Sequence, residues 1–284
     1  MKEIPGPAEV LAEAERALHH HGRVALCQIV RTEGSTPGKA GWKLLARPDG
    51  SAFGNLGGGA FEALVKTDAL ARLANGGASE IKRYYFTEES VKGEPTGMVC
   101  GGLAEVFLEV MEAPPVLVVC GGGPVGQALA QAGALAGFEC LVAEDRPEFR
   151  SPELFPAGSQ VAEVGRDYRE AFLDPVRQRD LYVAVVTRCW ETDTAALTGV
   201  LRQDPPRLRY LGLMGSRRKV ARVREEVVEQ GFDLGGRNLR APIGLPIGGD
   251  TPGEIAISIL AEAIRTRYGR SEESHESEEK KIDA

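Results

Sequence analysis

The chain has 284 residues, a net charge of -7 and 43% hydrophobic residues. This length favours two domains, because one domain typically holds ~100–200 residues, and the acidic balance argues against a nucleic-acid partner. No uncharged apolar run approaches the ~18 residues of a membrane span. Met1–Leu18 lacks the features of a signal peptide, and the five cysteines form no C-x-x-C pair, so we expect free thiols and a cytoplasmic protein.

The first part of the chain predicts a small α+β domain over residues 1–112. The apolar residues of Ala8–His21 and Ala60–Leu73 recur at helical spacing. The strand candidates of this domain are Val24–Val30, Trp42–Ala46, Lys82–Phe86 and Leu103–Met111.

A linker is predicted at Ala113-Pro114-Pro115, because proline blocks helix and favours extended backbone. Strand and helix candidates then alternate, which predicts a Rossmann-like domain with a doubly wound parallel sheet over residues 116–268. Its strand candidates are Val116–Cys120, Cys140–Ala143, Gln160–Val164, Leu181–Val186 and Tyr210–Met214. Residues 269–284 are acidic with almost nothing apolar, so we predict a disordered tail.

The glycine-rich segment Gly121–Gly126 matches G-x-G-x-x-G between a buried strand candidate and a helix candidate. In this context, Gly121 lets the chain turn, Gly123 lets backbone approach a pyrophosphate, and Gly126 lets helix and strand pack closely. The helix start would then bind a phosphate, whereas the alternative is a structural turn without a ligand. The candidate phosphate-binding residues of this loop are Gly121, Gly122, Gly123, Val125 and Gly126.

Two further segments predict ligand contacts in the same domain. Asp145, followed by Arg146, lies at the end of the second strand candidate, where an acid can accept a ribose hydroxyl. Gly215, Ser216 and Arg217 link the strand candidate Tyr210–Met214 to a helix, and Ser216 is expected to cap that helix. The three cations Arg217, Arg218 and Lys219 would attract an anion, or they only solvate the first helical turn.

Cysteine and glycine motifs also stand in the first domain. Cys100 is surrounded by glycines, so a ligand could approach its sulfur, although a packed loop thiol is an equal alternative. The loops with Ser35 and with Gly58 and Gly59 could form anion-binding nests of backbone N–H groups. Glu62 follows the second of these loops by one helical turn.

The sequence gives little support for dehydrogenase chemistry. All four histidines lie in the first helix candidate or the tail, so the Rossmann-like domain contains no histidine base. No tyrosine is followed by lysine four residues later, and no histidine-rich metal site is supported. An NAD(P)-dependent oxidoreductase, or another dinucleotide-binding protein, is therefore the alternative function.

These motifs together resemble the xanthine dehydrogenase accessory factors of the XdhC/CoxF type. The resemblance extends over most of the chain and runs in order. The matching segments are Gly34–Pro37, Leu56–Gly59 with Glu62, Gly97–Gly102, Gly121–Gly126, Leu211–Arg217, Pro242–Leu245 and Thr251–Ala256.

The resemblance implies a homodimeric chaperone, rather than a turnover enzyme, that binds the molybdenum cofactor as molybdopterin or its dinucleotide form. It implies two protein partners, a cysteine desulfurase that sulfurates the cofactor and a xanthine dehydrogenase-type molybdoenzyme that receives it. Cys100 would then contact molybdenum or sulfur.

The sequence departs from the family pattern at four positions. Pro124, Trp190 and Arg240 stand where the family usually carries histidine, and Pro246 stands where it usually carries aspartate. All four are expected at or near the ligand edge of the sheet, so a diverged ligand or client protein is an open alternative.

Overall fold

The computed structural model describes residues 5–86, 94–95, 101–165, 167–172, 176–234 and 239–269. The chain forms two compact units, Met1–Ala113 and Pro114–Ala284. Within the described residues, no helix combines the length and apolar character that crossing a membrane requires. Cys100 and residues 270–284 of the predicted tail lie outside the described residues.

The first unit is a six-stranded sheet with a helix on each face. The strand order is β3-β2-β1-β6-β4-β5, in which only β4 and β5 run parallel. Side chains of β1 alternate, so that Cys27 and Ile29 face the helix α2 while Val24 and Leu26 face α1. The elements are α1 (Pro7–His21), β1 (Arg23–Glu33), β2 (Lys43–Ala46), β3 (Ala52–Gly54), α2 (Gly59–Asn75), β4 (Glu80–Tyr85), β5 (Glu94–Pro95) and β6 (Leu103–Glu112).

The second unit is a parallel five-stranded sheet with the order β11-β10-β7-β8-β9. This order, with helices on both faces, is that of a Rossmann fold and confirms the predicted fold class. Its elements are β7 (Val116–Cys120), α3 (Pro124–Leu135), β8 (Glu139–Glu144), β9 (Gln160–Glu163), β10 (Leu181–Val185), α4 (Trp190–Gln203), β11 (Leu208–Leu213), α5 (Arg217–Glu229) and α6 (Pro252–Arg267).

The two faces of this sheet are covered by different helices. Val118 and Cys120 of β7 face α4 and α5, whereas Leu117 and Val119 face α3 and α6. Because β7 and β10 are buried along their whole length, their continuous apolar sequences are those of central parallel strands. Two 3-10 turns, Pro147–Phe149 and Pro152–Leu154, stand between β8 and β9 in place of a crossover helix.

Strands β7 and β10 are neighbours in the sheet, but their following helices leave toward opposite faces. A sheet of this kind has its ligand crevice at such a reversal, beyond the carboxyl ends of the strands. The loops that follow β7, β8, β10 and β11 therefore define the candidate site.

Candidate functional site

The glycines of the loop between β7 and α3 are fixed by backbone packing. Gly121 has φ +116°, and a Cβ there would lie 2.8 Å from the Val186 carbonyl oxygen. A Cβ on Gly126 would lie 1.9 Å from the Gly121 carbonyl oxygen, so α3 can approach β7 only with glycine at this position. At Gly123 the nearest atom to a Cβ would be Arg146 Nη2 at 3.8 Å, which leaves open space above the loop.

This loop presents unsatisfied backbone donors. Gly123 is the N-cap of α3, and Pro124 occupies the first turn, where its missing N–H costs nothing to the helix. Among the described residues, the N–H groups of Gly123, Val125 and Gly126 have no hydrogen-bond partner. These three donors at the positive end of a helix can bind an anion.

The carboxylate of Glu144, the last residue of β8, closes the glycine loop. Its Oε2 accepts the Gly122 N–H at 2.6 Å and Arg146 Nη2 at 3.0 Å, while its Oε1 accepts Arg146 N and Nε, both at 2.9 Å. Arg146 also stacks on Phe149, with its guanidinium carbon 4.1 Å from the ring centroid. Glu144 is only 1% exposed, and four donors fill the four lone-pair sites of a carboxylate.

The sequence predicts that the Gly122 N–H and the Arg146 guanidinium are available to a ligand. In the structure, both groups bind Glu144 instead. Glu144 itself was not predicted as a site residue. Glu144 follows a run of apolar residues, and a carboxylate at the end of such a run is usually predicted to be the first exposed residue of the strand. The signal that could have found it is its spacing from Gly122, which matches the acidic position of the dinucleotide fingerprint.

Asp145 joins Arg188 in a bidentate ion pair. Its Oδ1 accepts Arg188 Nη1 at 2.7 Å, and its Oδ2 accepts Arg188 Nη2 at 2.8 Å. These hydrogen bonds lower the pKa of Asp145 to about 2, so the pair is ionised at neutral pH. Arg188 was not predicted as a site residue, because nothing in the sequence places the loop after β10 beside that after β8.

A buried polar cluster links the starts of α4 and α5. Asp193 is fully buried, and its Oδ1 accepts the Thr187 hydroxyl at 2.6 Å while Lys219 Nζ lies 2.6 Å from its Oδ2. Burial raises the pKa of Asp193, against the opposing effect of Lys219 and Thr187. A Cβ on Gly215 would lie 2.3 Å from Lys219 Cε, so the lysine side chain passes where a larger residue would stand.

The start of α5 agrees with the prediction for its helix cap but differs from it for one of the three cations. Ser216 caps the helix as expected, since its Oγ accepts the Lys219 N–H at 3.3 Å. Arg217 and Arg218 are exposed, but the third expected cation, Lys219, pairs with Asp193 instead of facing a ligand. The guanidinium of Arg222 lies 4.8 Å from the ring centroid of Trp190 at the start of α4.

A segment after α5 adds to the free edge of β11. Arg240 pairs with Gly212 in parallel orientation, and the Ile243 N–H donates to the Leu213 carbonyl at 3.0 Å. Helix α6 holds the continuation of this segment, because buried Glu262 accepts the Gly244 N–H at 2.9 Å through the oxygen that also accepts Tyr210 Oη at 2.6 Å. Pro246 follows as an exposed residue.

In the first unit, Glu62 binds the glycine loop that precedes it. Its Oε2 accepts the N–H groups of Leu56 at 2.8 Å and Gly58 at 3.3 Å. Part of the expected nest around Gly58 and Gly59 is therefore filled by the protein's own carboxylate. The Gly57 N–H is likewise bound, by Asn55 Oδ1.

The glycine motifs of the first unit pack against one another. A Cβ on Gly57 would lie 2.6 Å from Pro37, and one on Gly34 would lie 2.9 Å from the Gly101 carbonyl oxygen. A Cβ on Gly102 would lie 2.2 Å from the carbonyl oxygen of Ser35. The loop that begins at Gly34 therefore touches both other motifs. The contacts of Cys100, next to Gly101, lie outside the described residues.

The fold and the loops define a class of protein, one that joins a mostly antiparallel α+β unit to a Rossmann unit with a glycine-rich loop at the carboxyl edge of its sheet. The family described as the XdhC Rossmann domain matches residues 117–263, and that described as the XdhC and CoxI family matches residues 17–85. The chain belongs to the XdhC family.

Two curated relatives are similar in sequence. The uncharacterized protein YqeB of Escherichia coli is 34% identical over 265 residues, which are 91% of this chain and 46% of that protein. A probable xanthine dehydrogenase subunit of Bacillus subtilis is 30% identical over 167 residues, which are 57% of this chain and 46% of that protein. The chain spans about half the length of the curated relatives it matches.

A solved structure is similar over most of the chain. The crystal structure of a xanthine dehydrogenase from Bacillus halodurans aligns with 94% of this chain and 97% of that chain, at 19% identity and a TM-score of 0.46.

Within the described residues, no group of three or more histidine, cysteine, aspartate or glutamate side chains could hold a metal ion.

Proposed function

We propose that this protein binds the molybdenum cofactor and acts as an accessory factor for a xanthine dehydrogenase-type enzyme. In this role it aids the sulfuration of the cofactor and its insertion into the client. The proposal rests on membership of the XdhC family and on the free backbone donors of the Gly121–Gly126 loop.

The observation that carries the proposal is the set of free N–H groups at Gly123, Val125 and Gly126. They lie at the start of α3, at the reversal of strand order, and a Cβ on Gly123 would have only Arg146 Nη2 within 4 Å. Molybdopterin carries a terminal phosphate and its dinucleotide form a pyrophosphate, and both groups suit such donors.

The chemistry of the loop favours holding a ligand over hydride transfer. No histidine stands in the second unit before the tail, and no Tyr-x-x-x-Lys pair supplies a base. The carboxylate of Glu144, in the position from which dinucleotide-binding folds bind a ribose, has no lone pair left for a hydroxyl.

Cys100 is proposed to approach the molybdenum end of the cofactor, with a cysteine desulfurase supplying sulfur. The packing of Gly34, Ser35, Gly101 and Gly102 brings two loops together at Gly101, the residue that follows this cysteine in the sequence. A homodimer and a cytoplasmic location are proposed by analogy with the family.

A transfer experiment tests the function. The purified full chain is incubated with released molybdenum cofactor, separated from unbound pterin, and mixed with a cofactor-free xanthine dehydrogenase-type enzyme. We expect the loaded chain to activate the client more than free cofactor does, and Cys100→Ser to lower that activation while pterin binding persists. Equal activation with and without the chain would refute the proposal.

A dinucleotide-binding protein is the second candidate, and one observation favours it. The Asp145 side chain is partly exposed, and its carboxylate has acceptor capacity beyond the two bonds to Arg188, so it can still accept a ribose hydroxyl. Stable NADH binding with hydride transfer to a small carbonyl compound would favour this candidate. Binding of neither nucleotide nor pterin would indicate an interaction module that keeps the fold alone.

A further inference from the structure

The ion pair between Asp145 and Arg188 lies across the candidate ligand crevice. Asp145 follows β8 and Arg188 follows β10, while β7 lies between these two strands in the sheet. Because all three strands are parallel, their carboxyl ends meet at one edge. The side chains therefore bridge over the end of β7, where the chain enters the Gly121–Gly126 loop, and we call this bridge the strap.

The strap differs from the neighbouring pair of Glu144 and Arg146. Glu144 is 1% exposed, holds four hydrogen bonds and fixes the Gly122 backbone, so opening that pair would leave a buried carboxylate unsatisfied. In the strap, the Arg188 side chain is 42% exposed and the Asp145 side chain 28% exposed. Water can replace each partner, so exchange of the strap is the less costly of the two.

The strap lies where an elongated, phosphate-bearing ligand binds in other proteins of this fold. Such a ligand crosses the sheet edge from the strand of the acidic residue toward β10, with its phosphate at the start of α3. Because the strap spans the end of β7, from which the Gly121–Gly126 loop departs, a phosphoryl group bound by the Gly123 and Val125 N–H groups would lie at the same carboxyl edge of the sheet. Guanidinium binds phosphate oxygens in the same bidentate manner as it binds a carboxylate.

We propose that Arg188 binds the phosphate of a ligand held by the glycine loop, and that Asp145 pairs with Arg188 when no ligand is bound. A ligand phosphoryl group takes the two guanidinium N–H donors from Asp145 and opens the strap. The freed carboxylate then faces the ligand's hydroxyl groups. This inference rests on the proposed function only in taking the glycine loop as a phosphate site, and it applies to a phosphomonoester or a pyrophosphate alike.

Binding of inorganic pyrophosphate to the full chain tests the strap, because this probe has no ribose or pterin. Calorimetric titrations at fixed ionic strength compare the parent with Arg188→Gln, Arg188→Lys, Asp145→Asn and the control Arg224→Gln, whose arginine is exposed on α5. We expect Arg188→Gln to raise the Kd at least fivefold and Arg188→Lys to raise it less, because lysine keeps the charge but loses the fork. Asp145→Asn should lower the Kd at least threefold, since it removes the competitor.

The Kd values separate a ligand-binding strap from a purely structural ion pair. An unchanged Kd in Arg188→Gln, or an unchanged or raised Kd in Asp145→Asn, would overturn the proposal in favour of the structural pair. Failure of both the parent and Asp145→Asn to bind pyrophosphate would also overturn it. A pterin-free protein that shows the expected order of Kd values would refute the proposed cofactor but support the strap, so the two failures are distinguishable.

Discussion

Three glycines of one loop have three different reasons to be glycine. Gly121 adopts a positive φ, Gly126 lies against a carbonyl oxygen, and Gly123 has an ordinary φ of -67° with space around it. Only the first two are demanded by the fold. At Gly123, by contrast, the lack of a side chain leaves space in which a ligand could approach the backbone.

The first prediction compares alanine at two of these positions. Gly126→Ala places its Cβ 1.9 Å from the Gly121 carbonyl oxygen, so α3 must move and we expect a loss of about 1–3 kcal/mol in the free energy of unfolding. The gain of about 1 kcal/mol in helix propensity is too small to offset a backbone clash. Gly123→Ala, the matched control, should cost less than about 1 kcal/mol. Urea denaturation measures both, and an equal cost at the two positions would contradict this explanation.

The second prediction concerns the ionisation of Asp145. Its pKa is lowered to about 2 in the folded chain, against ~3.9 in an unfolded chain, so the stabilisation is present above pH ~4 and is lost as pH falls toward 2. A carboxyl ¹³C titration should give a midpoint near 2 in the parent and in Arg224→Gln. Arg188→Gln should move it toward 4, because the guanidinium is the main cause of the shift. A parent midpoint near 4 would show that the pair does not form in solution.

At the residue scale, the sequence was most informative about backbone and least about side-chain partners. The motif spacing predicted the turn at Gly121 and the close packing at Gly126, since both follow from local chain geometry. It did not predict that Lys219 would pair with Asp193, or that Arg188 would reach Asp145. These pairs join residues 26 and 43 positions apart, and only the strand order brings them together.

At the scale of elements, α6 acts as a support for the segment that carries Arg240 and Ile243. Glu262 accepts Tyr210 Oη and the Gly244 N–H through one oxygen, and Ser258 Oγ donates to the Leu245 carbonyl at 2.6 Å. The segment contributes hydrogen bonds to the edge of β11 but has no long strand of its own. Its position therefore depends on backbone bonds to β11 and on two side chains of α6, of which Glu262 is the buried carboxylate.

The third prediction tests this support. Glu262→Leu removes the acceptor of two donors, Tyr210 Oη and the Gly244 N–H, and each buried donor left unsatisfied costs about 1–3 kcal/mol. Glu262→Gln, the matched control, keeps an acceptor oxygen and should lose much less. Urea denaturation of both variants measures the difference, and equal losses would show that the acceptor oxygen does not account for the role of Glu262.

Element starts were harder to predict than element types. Helical spacing in the sequence predicts α3 over Gln127–Ala136 and α4 over Thr192–Leu201, whereas the two helices begin at Pro124 and at Trp190. In both cases the helix begins only a few residues after the end of the preceding strand, Cys120 for α3 and Val185 for α4. Pro124 carries a signal for the earlier start, because proline suits a first helical turn, but it also lies inside the glycine-rich motif.

At the scale of the whole molecule, sequence and structure agree on a Rossmann unit preceded by an α+β unit. Alternating strands and helices predict the parallel sheet, since that pattern has few other solutions. The strand order does not follow from the sequence alone, and it is the strand order that brings Arg188 to Asp145 across the end of β7. The identity of the ligand is even harder to predict from the sequence or the fold, because proteins of one fold bind many different ligands.

Native mass spectrometry of the full chain, purified from cells that make molybdenum cofactor, tests the central claim most directly. A phosphate-bearing cofactor held at the start of α3 predicts a bound species that dissociates as molybdopterin or its dinucleotide and fluoresces as a pterin after oxidation. Protein from cells unable to make the cofactor, the matched control, should lack this species. A chain that carries NAD(P), or no ligand at all, from the cofactor-producing cells would contradict the account.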